Sequence, residues 1–193
     1  MNKNKAVFLD KDGTLIVDIP YNVNPGLIVL SDHCLTGLHR LQAEGYLLVV
    51  ISNQAGVARG YFNEKALMVV ENTLRSMLAQ ANIQLSGFYY CPHHPEGIVK
   101  TWAVDCDCRK PAPGLLHRAA AELAIDLNSS WMIGDILNDI EAGNRAGCKS
   151  ILIDNGNETE WHLNEIREPE IKVNNINEAA AHILTHVQQL AGL

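Results

Sequence analysis

Two aspartates stand two positions apart near the start of the chain, within the run FLDKDGTL at residues 8–15. Asp10 and Asp12 follow an apolar segment and precede a glycine. Two unit charges about 4 Å apart repel by about 4 kcal/mol at an effective dielectric constant of about 20, so a positive partner is needed. A hard divalent cation with oxygen ligands, such as Mg²⁺, would supply it. The pattern alone also fits a simple turn, because Asp and Gly both favour turns.

Two basic residues, Arg109 and Lys110, occur together in the motif RKP. A lysine beside a phosphoryl group stabilises the negative charge that its oxygens gain in the transition state. An arginine can hold a second anionic group through two hydrogen bonds. Adjacent Lys and Arg residues are common on protein surfaces, so this pair indicates a phosphate site only in combination with other motifs.

Three of the five cysteines lie within eighteen residues, and the sequence is not expected to carry a secretion signal. This pattern favours a metal site over a disulfide framework. The candidate ligands are Cys91, His93, Cys106 and Cys108. Three sulfurs and one imidazole fill a tetrahedral zinc shell and leave no position for water, which predicts a structural zinc ion. His94 is an alternative ligand to His93, and a set of reduced, buried cysteines is the alternative to a metal site.

We call residues 91–108 the zinc loop. This segment ends immediately before Arg109 and Lys110. A bound zinc ion would therefore fix the loop that directs both basic side chains.

Periodic patterns place these motifs on strands and helices. Short apolar runs predict strands at residues 6–9, 46–52, 85–92, 129–135 and 150–154. Amphipathic patterns and glycine stops predict helices at residues 32–45, 63–81, 114–125, 138–147 and 176–193. Strands that alternate with helices form parallel sheets with right-handed crossovers. We therefore expect an α/β fold, a Rossmann-like parallel sheet sandwiched by helices.

The predicted strands end at polar residues that could form one site. The first strand leads to Asp10 and Asp12, the second to Ser52 and Asn53, and a later one to Asp135. Ligands of parallel sheets bind at the carboxyl ends of the strands. Residues that are distant in sequence should therefore meet at one edge of the sheet.

Composition limits the class of protein. With 193 residues, of which 47% are hydrophobic, the chain is expected to form a single domain over residues 1–193. The formal net charge of −7 offers no basic stripe for a nucleic-acid backbone, so no nucleic-acid partner is expected. The sequence has no signal-peptide core and no apolar run as long as a membrane span. We therefore expect a cytoplasmic protein without a membrane partner, and a monomer is favoured.

Four segments resemble, in order along the chain, the four motifs of the haloacid-dehalogenase-like (HAD) phosphatases. They are FLDKDGTL, the serine of VVISNQAG, the lysine of RKPAPG, and MIGDILND. The segments SNQAGVARGYF, YYCPHHPEG and CDCRKPAPG are similar to the branch that contains bacterial heptose-bisphosphate phosphatases and histidinol phosphatases. The resemblance covers roughly residues 5–155, and the remaining C-terminal part carries no recognisable motif.

The resemblance implies a role for each motif. Asp10 would be the nucleophile that forms an aspartyl-phosphate, and Asp12 would protonate the leaving sugar oxygen and later activate water. Ser52 and Lys110 would hold the phosphoryl oxygens. Asp10, Asp135 and the backbone carbonyl of Asp12 would hold Mg²⁺.

The resemblance also implies the substrate class. The intervals between the motifs leave no room for a large cap domain, so we expect an open site for a small phosphorylated sugar. Its contacts would be Asp18, Tyr21, Asn53 and Arg109, and the family pattern favours His93 over His94 as the zinc ligand. The first hypothesis is a Mg²⁺-dependent, zinc-stabilised phosphatase that removes the 7-phosphate of D-glycero-D-manno-heptose 1,7-bisphosphate. Histidinol phosphate or another small sugar phosphate is the alternative substrate, and a non-catalytic zinc-bearing interaction module is the remote alternative.

Several other residues receive structural interpretations. Asp139, a second acidic residue of MIGDILND, is expected on the helix surface or behind the residues that contact the ligand. His182 and His186 stand four positions apart on the last predicted helix, where a solvated face is favoured over a pair of metal ligands. The segment GNRAGCKS is interpreted as a helix stop, because a phosphate loop requires glycine where Cys148 stands.

Overall fold

The computed structural model describes residues 3–190 and 192, and its centre is a parallel sheet. The strands are β1 (Ala6–Leu9), β2 (Leu47–Asn53), β3 (Leu85–Cys91), β4 (Trp131–Gly134), β5 (Lys149–Ile153) and β6 (Ile171–Val173). Their order across the sheet is β3-β2-β1-β4-β5-β6, and each neighbouring pair is parallel. The five predicted strands are confirmed. The sixth, β6, has only three residues, too few to show a periodic pattern in the sequence.

Helices alternate with most of the strands. They are α1 (Cys34–Ala43), α2 (Glu64–Gln80), α3 (Gly114–Glu122), α4 (Leu137–Ala146) and α5 (Ile176–Leu190). The five predicted helices are confirmed with small shifts at their ends. The left-handed backbone of His33, at φ 59°, delays the start of α1, and Gly147, at φ 88°, ends α4 as the helix-stop interpretation requires. The predicted end of the last helix includes residues 191 and 193, which lie outside the described residues.

The two faces of the sheet carry separate cores. Helices α1, α2 and α5 cover the face that presents Val7 and Leu9 of β1, whereas α3 and α4 cover the face that presents Ala6 and Phe8. Strand β2 is also buried on both faces, which explains its nearly continuous apolar sequence. The sheet is therefore sandwiched by helices, as expected from the alternation of elements.

Loops at the carboxyl edge of the sheet surround the predicted site. The segments are 10–33 after β1, 54–63 after β2 and 92–113 after β3. Over the described residues, their only helical element is a single 3₁₀ turn at Pro25–Leu27. The prediction of no large cap domain agrees with this arrangement. Among the helices of the described residues, none has the length and apolar character that crossing a membrane would require.

The two histidines of α5 do not form a solvated face. The rings of His182 and His186 pack at right angles to the Trp131 ring, with centroid distances of 5.7 and 5.5 Å. Nε2 of His186 also lies 2.8 Å from Nζ of Lys149. The solvated-face interpretation was wrong because helical spacing reveals that two residues share a face, and does not reveal what covers it.

Candidate active site

Asp10 lies directly after β1 and is almost buried, with 8% of its surface exposed. Its backbone N–H donates to the carbonyl oxygen of Ile133 in β4 at 2.9 Å, which fixes it to the centre of the sheet. Nζ of Lys110 donates to Oδ1 of Asp10 and, at 2.9 Å, to the carbonyl oxygen of Ile51. Burial raises the pKa of Asp10 well above its ordinary value, although the charge of Lys110 acts in the opposite direction.

Lys110 has a second carboxylate partner in Asp139. Nζ lies 2.6 Å from Oδ1 of Asp139, and the two side chains are 2% and 0% exposed. Burial acts to lower the pKa of Lys110, but the charges of Asp10 and Asp139 outweigh it and raise this pKa. The helix-surface alternative for Asp139 was therefore wrong. Asp139 shares Lys110 with Asp10 and lies in the first turn of α4, where its Oδ2 accepts a hydrogen bond from the backbone N–H of Ile136 at 3.3 Å.

Asp135 follows β4 and reaches the same edge of the sheet. Its two carboxylate oxygens accept hydrogen bonds from Thr14 Oγ1 at 3.2 Å and Asn157 Nδ2 at 2.7 Å. Burial, followed by the charge of Asp139, raises the pKa of Asp135 to about 6. Gly13 adopts φ +84°, and a Cβ there would lie 2.0 Å from Oδ2 of Asp135. The glycine of DKDG is thus required by the close approach of this carboxylate as well as by the turn.

Three carboxylates face one buried cation. Asp10, Asp135 and Asp139 each offer an oxygen atom, and these atoms lie within 4.8 Å of one another. Lys110 can balance only one of the three charges. The remaining negative charge and the oxygen donors fit a hard divalent cation such as Mg²⁺.

Asp12 and Ser52 are joined by a residue that the sequence analysis missed. Nε2 of Gln54 donates to Oδ2 of Asp12 at 3.0 Å and to Oγ of Ser52 at 2.8 Å. Nζ of Lys11 donates to the other carboxylate oxygen of Asp12 at 2.6 Å. Both Gln54 and Lys11 are buried. The only signal for Gln54 in the sequence is its position two residues after Ser52, on a strand end that already carries polar groups.

Asn53 pairs with the backbone of Lys110. Its Nδ2 donates to the carbonyl oxygen of Lys110, and its Oδ1 accepts from the backbone N–H of Lys110, both at 3.0 Å. The side chain thereby holds the segment that carries the lysine. A direct contact between Asn53 and substrate stays a prediction.

The four predicted substrate contacts line one cavity of about 210 Å³ that also reaches Asp12: they are Asp18, Tyr21, Asn53 and Arg109. Burial, followed by the charge of Asp12, raises the pKa of Asp18. Larger hollows of about 500 and 750 Å³ are also present; the first shares Asp18 with this cavity, and neither is lined by Asp12. The small cavity is therefore the candidate site for the rest of the substrate.

The predicted zinc ligands cluster at one place: Cys91, His93, Cys106 and Cys108. Their ligand atoms are separated by 3.2–3.6 Å in the contacts that join them. Ligands about 2.3 Å from a tetrahedral zinc ion would lie about 3.8 Å apart, so the cluster needs little change to hold the ion. Nε2 of His94 instead lies 3.2 Å from a guanidinium nitrogen of Arg59, outside the cluster.

The zinc loop contacts the arginine of the RKP motif directly. Nη1 of Arg109 donates to the backbone carbonyl of His93 at 3.5 Å. The ring of Trp102 packs against the imidazole of His93 with a centroid distance of 5.5 Å. The Cys/His cluster and the cavity beside Asp12 therefore share one supporting segment.

Comparisons with known proteins agree with this geometry. Residues 107–179 match the HAD-hydrolase-like family model. The D-glycero-beta-D-manno-heptose-1,7-bisphosphate 7-phosphatase of Pasteurella multocida is 44% identical over 77% of this chain and 80% of its own length. The D-glycero-alpha-D-manno-heptose-1,7-bisphosphate 7-phosphatase of Photorhabdus laumondii is 37% identical over 82% of this chain and 87% of its own length. The fold is also similar to the crystal structure of D,D-heptose 1,7-bisphosphate phosphatase from B. bronchiseptica, complexed with magnesium and phosphate. The TM-score is 0.81 and the sequence identity is 28%, and the match covers 94% of this chain and 99% of that chain.

Proposed function

The chain belongs to the HAD-like family of heptose-1,7-bisphosphate 7-phosphatases, and from this membership we propose that it hydrolyses the 7-phosphate of D-glycero-D-manno-heptose 1,7-bisphosphate. The two relatives described above are named for different anomers of this sugar. The proposal therefore specifies the phosphate that is removed and leaves both anomers as candidate substrates.

The observation that carries the proposal is the contact between Asp10 and Lys110, which are separated by a hundred positions in sequence. In the first step, a carboxylate oxygen of Asp10 attacks phosphorus, the bond from phosphorus to the sugar oxygen breaks, and an acyl phosphate forms. Asp12 donates a proton to the departing sugar oxygen. Lys110 and Ser52 hold the non-bridging phosphoryl oxygens, whose negative charge grows in the transition state.

In the second step, water attacks the phosphorus of the acyl phosphate and the bond to Asp10 breaks. Asp12, now ionised, accepts the proton of that water. Inorganic phosphate leaves and the Asp10 carboxylate is restored. The contacts of Asp12 with Lys11 and Gln54 keep its carboxylate in one place for both proton transfers.

We propose Mg²⁺ as the cofactor, held by Asp10, Asp135 and the backbone carbonyl of Asp12. When bound, the ion neutralises charge on the nucleophile and on the phosphoryl group. The excess of carboxylates over buried cations supports this assignment. Asp139 contributes by sharing Lys110 with the nucleophile.

A zinc ion in the zinc loop is proposed as a structural component. The three thiols and one imidazole form a closed donor set without a position for substrate. All five cysteines are free, which fits a cytoplasmic location where thiols remain reduced. We further propose that the single sheet and its loops act as one catalytic domain.

The decisive experiment measures phosphate release from both anomers of heptose 1,7-bisphosphate and from histidinol phosphate. We expect the highest kcat/KM for one of the heptose bisphosphates, with release of the 7-phosphate seen by ³¹P NMR. A higher kcat/KM for histidinol phosphate would replace the substrate assignment. The absence of hydrolysis across all three, with Mg²⁺ and zinc present, would contradict the enzymatic function itself.

A further inference from the structure

Tyr21, which lines the cavity beside Asp12, packs against a second aromatic side chain, that of Tyr61. The rings of Tyr21 and Tyr61 pack edge to face, with centroids 4.7 Å apart. Tyr21 is 50% exposed and Tyr61 is 61% exposed. Each ring thus contacts the other and still leaves apolar surface open to a ligand.

The two tyrosines come from different loops of the carboxyl edge. Tyr21 belongs to the loop after β1 and lines the cavity together with Asp12 and Arg109. Tyr61 belongs to the loop after β2, whose first residue, Gln54, holds Asp12. The aromatic pair therefore joins the two loops that carry the first two motifs.

The position of Tyr61 is fixed by its own loop. Its backbone N–H donates to the carbonyl oxygen of Gly56 at 2.9 Å. The neighbouring Phe62 ring packs against Gly56 so closely that a Cβ on this glycine would lie 2.2 Å from a ring carbon. Tyr61 consequently offers a well-supported surface to its partner.

Tyr21 needs such support more than Tyr61 does. Its backbone φ of 57° lies in the left-handed region, which bulky residues seldom adopt without contacts that hold them there. A hydrogen bond from the backbone N–H of Asn22 to the carbonyl of Ile19, at 3.0 Å, closes the turn locally. The Tyr61 ring provides a contact with the Tyr21 side chain from outside that turn.

We propose that Tyr61 is a positioning residue that holds Tyr21 against the sugar portion of the substrate and thereby controls substrate affinity, with little effect on the chemical step. This inference rests on the proposed function, because it assumes that the cavity beside Asp12 receives the sugar. A packing contact that orients a binding residue should affect KM and leave kcat largely unchanged.

The test compares Y61A with the conservative variant Y61F in steady-state kinetics on heptose 1,7-bisphosphate. We expect Y61A to raise KM about 3- to 10-fold with kcat within about twofold of the parent, since one aromatic pair is lost. Y61F keeps the ring and should match the parent. The double variant Y21A/Y61A should resemble Y21A, because Tyr61 acts through Tyr21.

Inhibition by inorganic phosphate separates positioning from general damage to the loop. Phosphate is held by Ser52 and Lys110, so its inhibition constant should be the same in Y61A and the parent. An unchanged KM in Y61A, or a parallel weakening of phosphate inhibition, would overturn the inference. If the parent hydrolyses a different ester and not heptose bisphosphate, the proposed substrate fails, and the same KM comparison on that ester still decides the role of Tyr61.

Discussion

The catalytic edge and the zinc loop are two polar clusters that the fold assembles in opposite ways. At the catalytic edge, Asp10, Lys110 and Asp139 come from distant parts of the chain and are nearly buried. In the zinc loop, all four ligands lie within eighteen residues, and three of them are only half-buried. The first cluster contains its own cation, whereas the second consists of thiols and an imidazole. We therefore propose that the sheet assembles the first cluster, whereas the second depends on a metal ion.

The pKa values of two thiols are consistent with the proposal that the zinc loop is stabilised by a metal ion. Burial raises the pKa of the Cys91 thiol and brings that of Cys108 to about 11. Without metal these sulfurs stay protonated at neutral pH. Zinc binding would displace their protons, and its binding free energy would then stabilise the folded loop.

Removing the proposed nucleophile, Asp10, should give the largest functional effect at the catalytic edge. In D10N the amide keeps the size of the carboxylate but cannot form the acyl phosphate, so we expect kcat to fall by about 10⁴-fold or more. Phosphate-release assays measure this loss, and circular dichroism should show an unchanged fold. Substantial residual activity in D10N would assign the nucleophile to another residue.

Removing the buried cation should give the largest effect on stability. In K110M, three clustered carboxylates lose the buried ammonium group that faces them, so the free energy of unfolding should fall by about 3 to 5 kcal/mol at neutral pH. Urea unfolding measures this change. At about pH 5 the loss should be smaller, because protonated carboxylates no longer repel one another.

An exposed ion pair provides the matched control for K110M. Nε of Arg118 lies 2.8 Å from Oε1 of Glu122, and the two side chains are 65% and 49% exposed. R118M should therefore lower the free energy of unfolding by no more than about 1 kcal/mol. If the free energy of unfolding falls equally in the two variants, the burial of Lys110 among carboxylates does not increase its contribution to stability.

The contrast between the two clusters also explains what could be predicted from sequence. Local patterns indicate β1 to β5, and strand ends indicate Asp10, Ser52 and Asp135, because a polar residue after an apolar run is visible without the fold. The zinc ligands are visible for the same reason, through their close spacing. The roles of Asp139 and Gln54 depend on which way a side chain points in the folded protein, and spacing does not determine that direction.

Loss of zinc should affect catalysis less than loss of Asp10. C106A removes one of four ligands, so we expect loss of bound zinc, a lower melting temperature and a decrease in kcat/KM of about 10-fold. The link to activity is Arg109, whose guanidinium donates to the carbonyl of His93. Metal analysis and kinetics together measure the effect.

C148A is the control for C106A, because Cys148 is a buried free thiol outside the zinc cluster. It should keep one zinc ion per chain and near-parental kcat/KM. If C106A retains zinc and full activity, Cys106 is not needed to hold the ion or to support Arg109. The proposed dependence of the zinc loop on its four ligands would then be contradicted.

The smallest expected effect concerns the response of the catalytic edge to Mg²⁺. The pKa of Asp135 is about 6 in the metal-free protein, compared with its ordinary value of 3.8. The folded state therefore binds more protons than the unfolded state between these values, and metal-free stability should decrease as pH rises through that range. The raised pKa of Asp10 acts in the same direction.

Mg²⁺ should offset this decrease in stability only at pH values at which the carboxylates are ionised. We expect saturating Mg²⁺ to raise the melting temperature by several degrees at about pH 7.5 and by much less at about pH 5, where Asp135 is largely protonated and a poor ligand. Thermal unfolding with and without Mg²⁺ at both pH values measures the difference. D135N should abolish the response at the higher pH, whereas C106A should retain it, since the zinc loop contributes no ligand to this ion. A Mg²⁺ response that is equal at both pH values, or lost in C106A, would show that the two clusters are not independent.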